Sequence, residues 1–321
     1  MRNTDSSLSS PDLRRRLHRR LLQWYRTNKR SLPWRDVDNP YYVLISEFMA
    51  QQTQLARVEE HFPRWIVRFP DISTLAAASR RSLLLAWSGM GYNRRALNLH
   101  AAAMRIVEEH GRRIPDDPTV LQSLPGIGRY TAHAVACFGY GKRVPVVDVN
   151  VRRVLSRLSR NMNTTETMLD EKEAWILAAD LLPPRACYNW SQGLMDLGAG
   201  ICTARKPRCS QCPLSTVCSS AHRLRTPERK AAPVVRETPR RIYRGRVIEL
   251  LRRAAGHCSD AERIRCQIFG STDPADRQKL IGILASLEKD GMVTVYQGKK
   301  RISDVAAHSA PLSALRICLV K

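Results

Sequence analysis

Four cysteines, Cys202, Cys209, Cys212 and Cys218, follow one another with the spacing C-x6-C-x2-C-x5-C. Thiolates so close in sequence can hold a metal ion or a cluster. Zinc often draws on two short C-x2-C pairs, and only one is present. The spacing therefore favours an iron–sulfur cluster, which four thiolates also suit. Two carboxylates stand out for their apolar settings. Asp148 lies inside Val144-Pro145-Val146-Val147-Asp148-Val149-Asn150-Val151, where it could cap a helix starting near Asn150 or act as a buried acid or base. Glu47 lies early in a largely apolar helical pattern, Leu44-Ile45-Ser46-Glu47-Phe48-Met49. Desolvation there would raise its pKa, although a helix dipole would also favour a glutamate near an N-terminus. Between these positions, Leu124-Pro125-Gly126-Ile127-Gly128-Arg129-Tyr130 joins two helical patterns. Its glycines permit a tight turn and close backbone approach to a ligand, and the helix that follows offers free N–H groups to an anion.

The elements that must position these groups are helical. Leu13, Leu17, Leu21 and Trp24 recur at helical spacing, and after Pro40 a long pattern runs through Val43, Leu44, Phe48, Met49, Leu55 and Val58. Further helices are predicted over 72–78, 81–88, 94–110 and 118–123. Strand signals are nearly absent before residue 220. The stretch 223–239 reads as a linker rich in Arg, Lys, Pro and Glu. Beyond it, helices over 241–253, 259–267 and 276–289 precede an alternating strand at 292–297, a Gly298-Lys299-Lys300 turn and a second short strand. Three helices and a hairpin outline a basic winged-helix-like module over 240–304; residues 305–321 stay unassigned.

Length and composition fit a protein of two or three domains: 321 residues, 43% hydrophobic and 26% charged. The charge balance is unusual, with 53 Lys and Arg against 29 Asp and Glu, a net +24. Such an excess attracts a polyanion, and nucleic acid fits better than an anionic membrane because no separate basic amphipathic segment exists. The opening MRNTDSSLSSPDLRRR has no secretory apolar region, and no run is long enough for a membrane span. A cytoplasmic, DNA-associated chain is expected, where clustered thiols stay reduced and ligate. Cys137, Cys187, Cys258, Cys266 and Cys318 lack ligand spacing and read as ordinary thiols.

Across residues 20–220 the chain resembles the helix–hairpin–helix DNA glycosylases of the endonuclease III superfamily, most closely the MutY-type adenine DNA glycosylases. LPWR (32–35), SEFMAQQTQ (46–54), GMGYNRRALNLH (89–100), LPGIGRYTA (124–132), VVDVNVRRV (146–154), LMDLGAGICTARKPRC (194–209) and the cysteine run carry the resemblance. It implies an all-α fold of two helical subdomains with an iron–sulfur loop, followed by the small α+β module. Residues 38–140 would form a six-helix barrel, and 1–37 with 141–222 the cluster-bearing subdomain. It further implies a [4Fe–4S] cluster on Cys202, Cys209, Cys212 and Cys218, and a monomer acting on double-stranded DNA with a mismatch or lesion.

By the same resemblance Glu47 protonates the departing purine and Asp148 steadies the oxocarbenium-like sugar. Two carboxyls divide glycosidic cleavage in this way when their surroundings separate their pKa values. Bifunctional relatives carry a Schiff-base lysine at the position of Tyr130. A phenol cannot form that bond, so a monofunctional enzyme that leaves the strand uncut is expected. Trp34, Arg35 and Gln192 match residues near the flipped base, though Trp34 could equally be a packing tryptophan. Gln52 and Tyr92 match residues that wedge into the duplex. Gly126, Gly128 and Arg129 belong to the hairpin, and Asn150 either orients Asp148 or meets the DNA backbone. Arg205 and Lys206 lie on the loop after the first ligand, facing phosphate or only solvent. The Nudix-like domain that usually reads 8-oxoguanine is not recognisable. The expected activity is removal of adenine opposite G or 8-oxoguanine. The alternatives are a thymine/uracil–guanine mismatch glycosylase and a non-catalytic lesion-binding protein.

Overall fold

The computed structural model describes residues 8, 10–162, 168–225, 238–270, 273–303, 305 and 310–321. Most of the linker expected at 223–239 lies outside them. The chain divides into two compact units, Met1–Glu47 with Ile114–Ala231, and Phe48–Arg113 with Ala232–Lys321.

The first unit contains α1 (Pro11–Asn28), the start of α2 (Pro40–Ala50), α7 (Pro118–Gln122), α8 (Arg129–Ala134), α9 (Val149–Ser159), α10 (Glu171–Asp180) and α11 (Cys187–Gly200). The buried stripe Leu17, Leu21, Tyr25 of α1 follows helical periodicity. A Cβ on Gly193 of α11 would lie 3.3 Å from the Leu21 side chain, so the small residue sets how near α1 and α11 come. A π-helical turn, Val135–Gly139, continues α8. Gly139 permits close packing, because a Cβ there would sit 2.8 Å from Pro40 Cα.

The second unit holds the end of α2 with α3 (Leu55–Arg68), α4 (Ile72–Ala76), α5 (Arg80–Ala86) and α6 (Arg94–Glu109). With them belong α12 (Arg240–Arg253), α13 (Ala261–Phe269), α14 (Pro274–Lys289) and a sheet of β1 (Cys258–Asp260), β2 (Val293–Gln297), β3 (Lys300–Ile302) and β4 (Leu315–Leu319). Strand order is β1-β4-β2-β3, with every pair antiparallel. The unassigned tail therefore supplies an inner strand, and the module runs to the end of the chain. Its strand character comes from partners in β1 and β2 that lie far off in sequence. Cys258 and Cys318 face each other across β1 and β4 and form a disulfide, which corrects their reading as free thiols.

The grouping of this module with α3–α6 has a physical basis. Leu84 is fully buried in the module's own core, beside Val247, Leu251, Leu284 and Ile317. Arg252 donates to the Leu84 carbonyl at 2.7 Å and to Asn93 Oδ1 at 2.8 Å. Arg81 reaches the Leu319 and Val320 carbonyls. Burial of apolar side chains and satisfaction of strand-end carbonyls make the two segments one body.

Candidate active site and cluster loop

Asp148 is the N-cap of α9, its Oδ1 accepting from Val151 N–H at 2.7 Å. Its other oxygen accepts from Asn150 Nδ2 at 2.7 Å, and Asn150 Oδ1 accepts in turn from Arg153 Nη2 at 2.8 Å. The cap and the chemical candidate are thus one residue, held in a fixed rotamer. Gly198 of α11 backs this arrangement, since a Cβ there would approach Asn150 Cβ to 2.7 Å. Burial pushes the Asp148 carboxyl up from its ordinary value, opposed by the Val151 and Asn150 donors.

Glu47, in the last full turn of α2 within the first unit, shares the surroundings of Asp148. Burial raises it to about 7, the Tyr130 hydrogen bond opposes that rise, and the Asp148 charge adds to it. The Tyr130 phenol is pushed well above its usual value by burial and by both carboxylates, so it stays a donor to Glu47. Two acids and a phenol from three distant stretches are therefore electrostatically linked. A carboxyl that titrates near neutrality beside a fixed carboxylate can give a proton while its neighbour stabilises positive charge.

The remaining site candidates separate into groups. Arg35 is only 8% exposed and makes a bidentate pair with Asp196, at 2.7 and 2.9 Å. Arg30 adds a bond of 2.7 Å to the same carboxylate. Burial would raise Asp196, but these guanidiniums outweigh it and hold it below the usual range. Arg35 is therefore committed to Asp196, and its charge still acts on Glu47. Trp34 is buried. Gln192, on α11, is 6% exposed, and its Oε1 is buried with no partner among the described residues. Gly126 adopts φ 77°, a conformation suited to glycine. Nothing lies within 4 Å of a Cβ built on Gly128, so the hairpin backbone is open there. Arg129 stacks over Trp175 at 4.0 Å.

Gln52 and Tyr92, in the second unit, share an unusual backbone. Both have positive φ, 55° and 44°, and both line a cavity of about 530 Å³ with Asn93, Asn98, Arg241 and Arg244. The helical pattern expected to run from Pro40 past Val58 breaks at this point. Nothing in Gln51-Gln52-Thr53-Gln54 signals the break, which is imposed by Arg95. Arg95 donates to the carbonyls of Phe48, Met49 and Gln51 on one side, and of Met90 and Gly91 on the other. One buried guanidinium thus joins the two loops that present Gln52 and Tyr92, and burial lowers its pKa to about 10. Lysine cannot reproduce that fork. Arg95→Lys is expected to lower unfolding stability by about 2–3 kcal/mol, measurable by urea denaturation.

The four cysteines line one small cavity with Ile201, Pro207 and Leu224. Arg157, 1% exposed, donates to Cys202 Sγ at 3.2 Å and to the carbonyls of Thr203 and Ala204. Burial, and beyond it the neighbouring cysteines, push Cys212 up to about 12 and Cys218 to about 11. Occupancy by metal must therefore displace protons. Four cysteines lining one cavity would suit an iron–sulfur cluster, which is ligated by four thiolates. Arg153 and Arg157, one helical turn apart on α9, hold the Cys202 carbonyl at 2.8 and 3.3 Å. Their shared partner lies 49 and 45 residues further along the chain, which no local pattern signals. Arg205 and Lys206 are exposed on this loop.

Residues 45–177 match the HhH-GPD superfamily of base excision DNA repair proteins, and residues 202–218 match the iron-sulfur binding domain of endonuclease III. An adenine DNA glycosylase of Mycobacterium tuberculosis (strain CDC 1551 / Oshkosh) is 42% identical over 280 residues, covering 85% of this chain and 89% of that protein. The Homo sapiens adenine DNA glycosylase is 39% identical over 213 residues, covering 64% of this chain and 39% of that one. A solved thermostable thymine-DNA glycosylase has a TM-score of 0.61 at 29% identity, covering 67% of this chain and 98% of its own. A trapped endonuclease III–DNA covalent intermediate shares the fold with a TM-score of 0.54 at 22% identity, over 64% of this chain and 95% of that one. Among the described residues no helix is long and apolar enough to cross a membrane.

Proposed function

Because this chain belongs to the helix–hairpin–helix superfamily of base-excision DNA repair proteins, in its MutY-like branch, we propose that it excises adenine mispaired with G or 8-oxoguanine. It is a DNA N-glycosylase that binds DNA and carries an iron–sulfur cluster. The observation that carries the proposed reaction is the linked Glu47–Tyr130–Asp148 group, with one acid near 7. Glu47 protonates N7 of the extruded base as the C1′–N bond breaks. Asp148, fixed by Val151 and Asn150, faces the positive charge that develops on the sugar. A base must leave the stack to reach such buried groups.

Tyr130 holds Glu47 and offers no amine for a Schiff base, so the product is an uncut strand with an abasic site. The unpaired Gln192 Oε1 supports adenine, whose exocyclic amine would supply the missing donor. Cys202, Cys209, Cys212 and Cys218 hold the cluster, of [4Fe–4S] type. Arg205 and Lys206, exposed on the loop between the first two of these cysteines, meet DNA phosphate. The protein works as a monomer on mismatched or lesion-bearing duplex.

Single-turnover excision on duplexes with A opposite G, 8-oxoguanine or C, and with T or U opposite G, tests the reading. Adenine release opposite G and 8-oxoguanine is expected, with strand scission only after alkali. A second reading, thymine or uracil removal opposite G, is favoured by the fold shared with the thymine-DNA glycosylase. Release of those bases with adenine retained would establish it instead.

A further inference from the structure

Within the module formed by α12–α14 and the sheet, the acids are drawn into ion pairs with a few of its many cations. Glu249 pairs with Arg252 and Arg253, Glu262 with Arg265, Asp276 with Lys279, and Asp290 with Arg94 and Arg244. The face of the β2–β3 hairpin carries cations that lie outside these pairs. The β2–β3 hairpin turns at Gly298, φ 59°, and presents Lys299, Lys300 and Arg301, all exposed. Cross-strand register then places Arg301, Tyr296 and Arg316 in one row across β3, β2 and β4. The opposite face carries the buried Val293, Val295, Ile302 and Ile317. Asp260 stands beside Arg316 at the end of that row, but its carboxylate is occupied in capping α13 through Arg263 N–H at 2.6 Å. Among the described residues no ion pair reaches Lys299, Lys300, Arg301 or Arg316.

Like charges gathered on neighbouring strands destabilise a sheet, and the module's acids are spent elsewhere. We propose that this row and hairpin tip bind the phosphodiester backbone of duplex DNA. An aromatic ring between two guanidiniums, with lysines at the turn, suits phosphate oxygens and sugar edges without reading sequence. The proposal rests on the reading that the chain acts on duplex DNA. The competing role for these cations is protection of the edge strand β3 against pairing with another copy.

The test uses the full chain, with its cluster, on a fully paired duplex that contains no excisable base. Its result is therefore independent of which base the enzyme removes. A triple variant, Lys299→Gln, Lys300→Gln and Arg301→Gln, is compared with a charge-matched control, Arg64→Gln, Arg112→Gln and Arg113→Gln. The hairpin variant is expected to bind roughly tenfold or more weakly, and its slope of log K against log salt should shrink by about 2–3, or about 0.9 per phosphate contact. The control should shift far less. Equal losses in both variants would reduce the effect to net charge and overturn the proposal. An unchanged slope accompanied by concentration-dependent self-association would assign the cations to edge protection instead.

Discussion

Asn in place of Asp148 is expected to slow base release by about a thousandfold or more in single turnover, while the duplex remains bound. The substitution removes the charge while keeping the helix cap. Asparagine caps helices as well as aspartate, so α9 keeps its Val151 contact, while the oxygen that accepts from Asn150 Nδ2 gives way to an NH2 group. What disappears is the negative charge facing the sugar. The pH profile gives a second readout. In the wild type, rate should fall on the acid side as Asp148 protonates, above the ordinary aspartate value because of burial. It should fall on the alkaline side near 7 as Glu47 loses its proton. In the variant the acid limb vanishes. The alkaline limb moves to lower pH, because the Asp148 charge is one of the influences that raise Glu47. A rate within tenfold of wild type, or an alkaline limb that does not move, would remove Asp148 from the reaction.

The parts of this site that the sequence exposed are those whose chemistry contradicts their surroundings. Asp148 in a valine run, Glu47 in an apolar helix and four crowded thiols each demand an explanation from local composition alone. Where the reason lies in a distant partner, local composition is silent. Arg95, Arg153 and Arg157 are each buried because they satisfy carbonyls from another segment. The pairing of Arg35 with Asp196, far away in sequence, also has no local signal. Likewise Leu315–Leu319 is a strand through its pairing with β1 and β2. The break after α2 arises from Arg95 drawing in carbonyls, where no glycine or proline marks a turn. Helix periodicity is local, and so the helical class through residue 220 was legible; backbone partners between segments are not.

Glu47→Gln should be the most revealing substitution, because it moves activity and stability in opposite directions. Glutamine keeps the shape and can still accept from Tyr130, but it has no proton to give to a departing base. A loss of about 10³-fold in excision is expected, within the range for removal of a positioned general acid. The stability effect follows from linkage. In the folded protein burial holds Glu47 near 7, against 4.5 for an ordinary glutamate. Between those values the folded state keeps a proton that the unfolded chain has released, so wild-type stability declines as pH rises and levels off above 7. The penalty is nearly absent at pH 4 and fully present at pH 8. With partial exposure discounted, it amounts to about 2 kcal/mol. Glutamine does not titrate, so the variant should exceed the wild type in unfolding free energy at pH 8 by about that amount and converge with it near pH 4. Urea denaturation at the two pH values measures the difference. A variant that is inactive but no more stable at pH 8 would mean that Glu47 is charged at little cost in the folded protein. It could then no longer be the acid that supplies a proton at neutral pH, and the division of roles between the two carboxyls would have to be reversed.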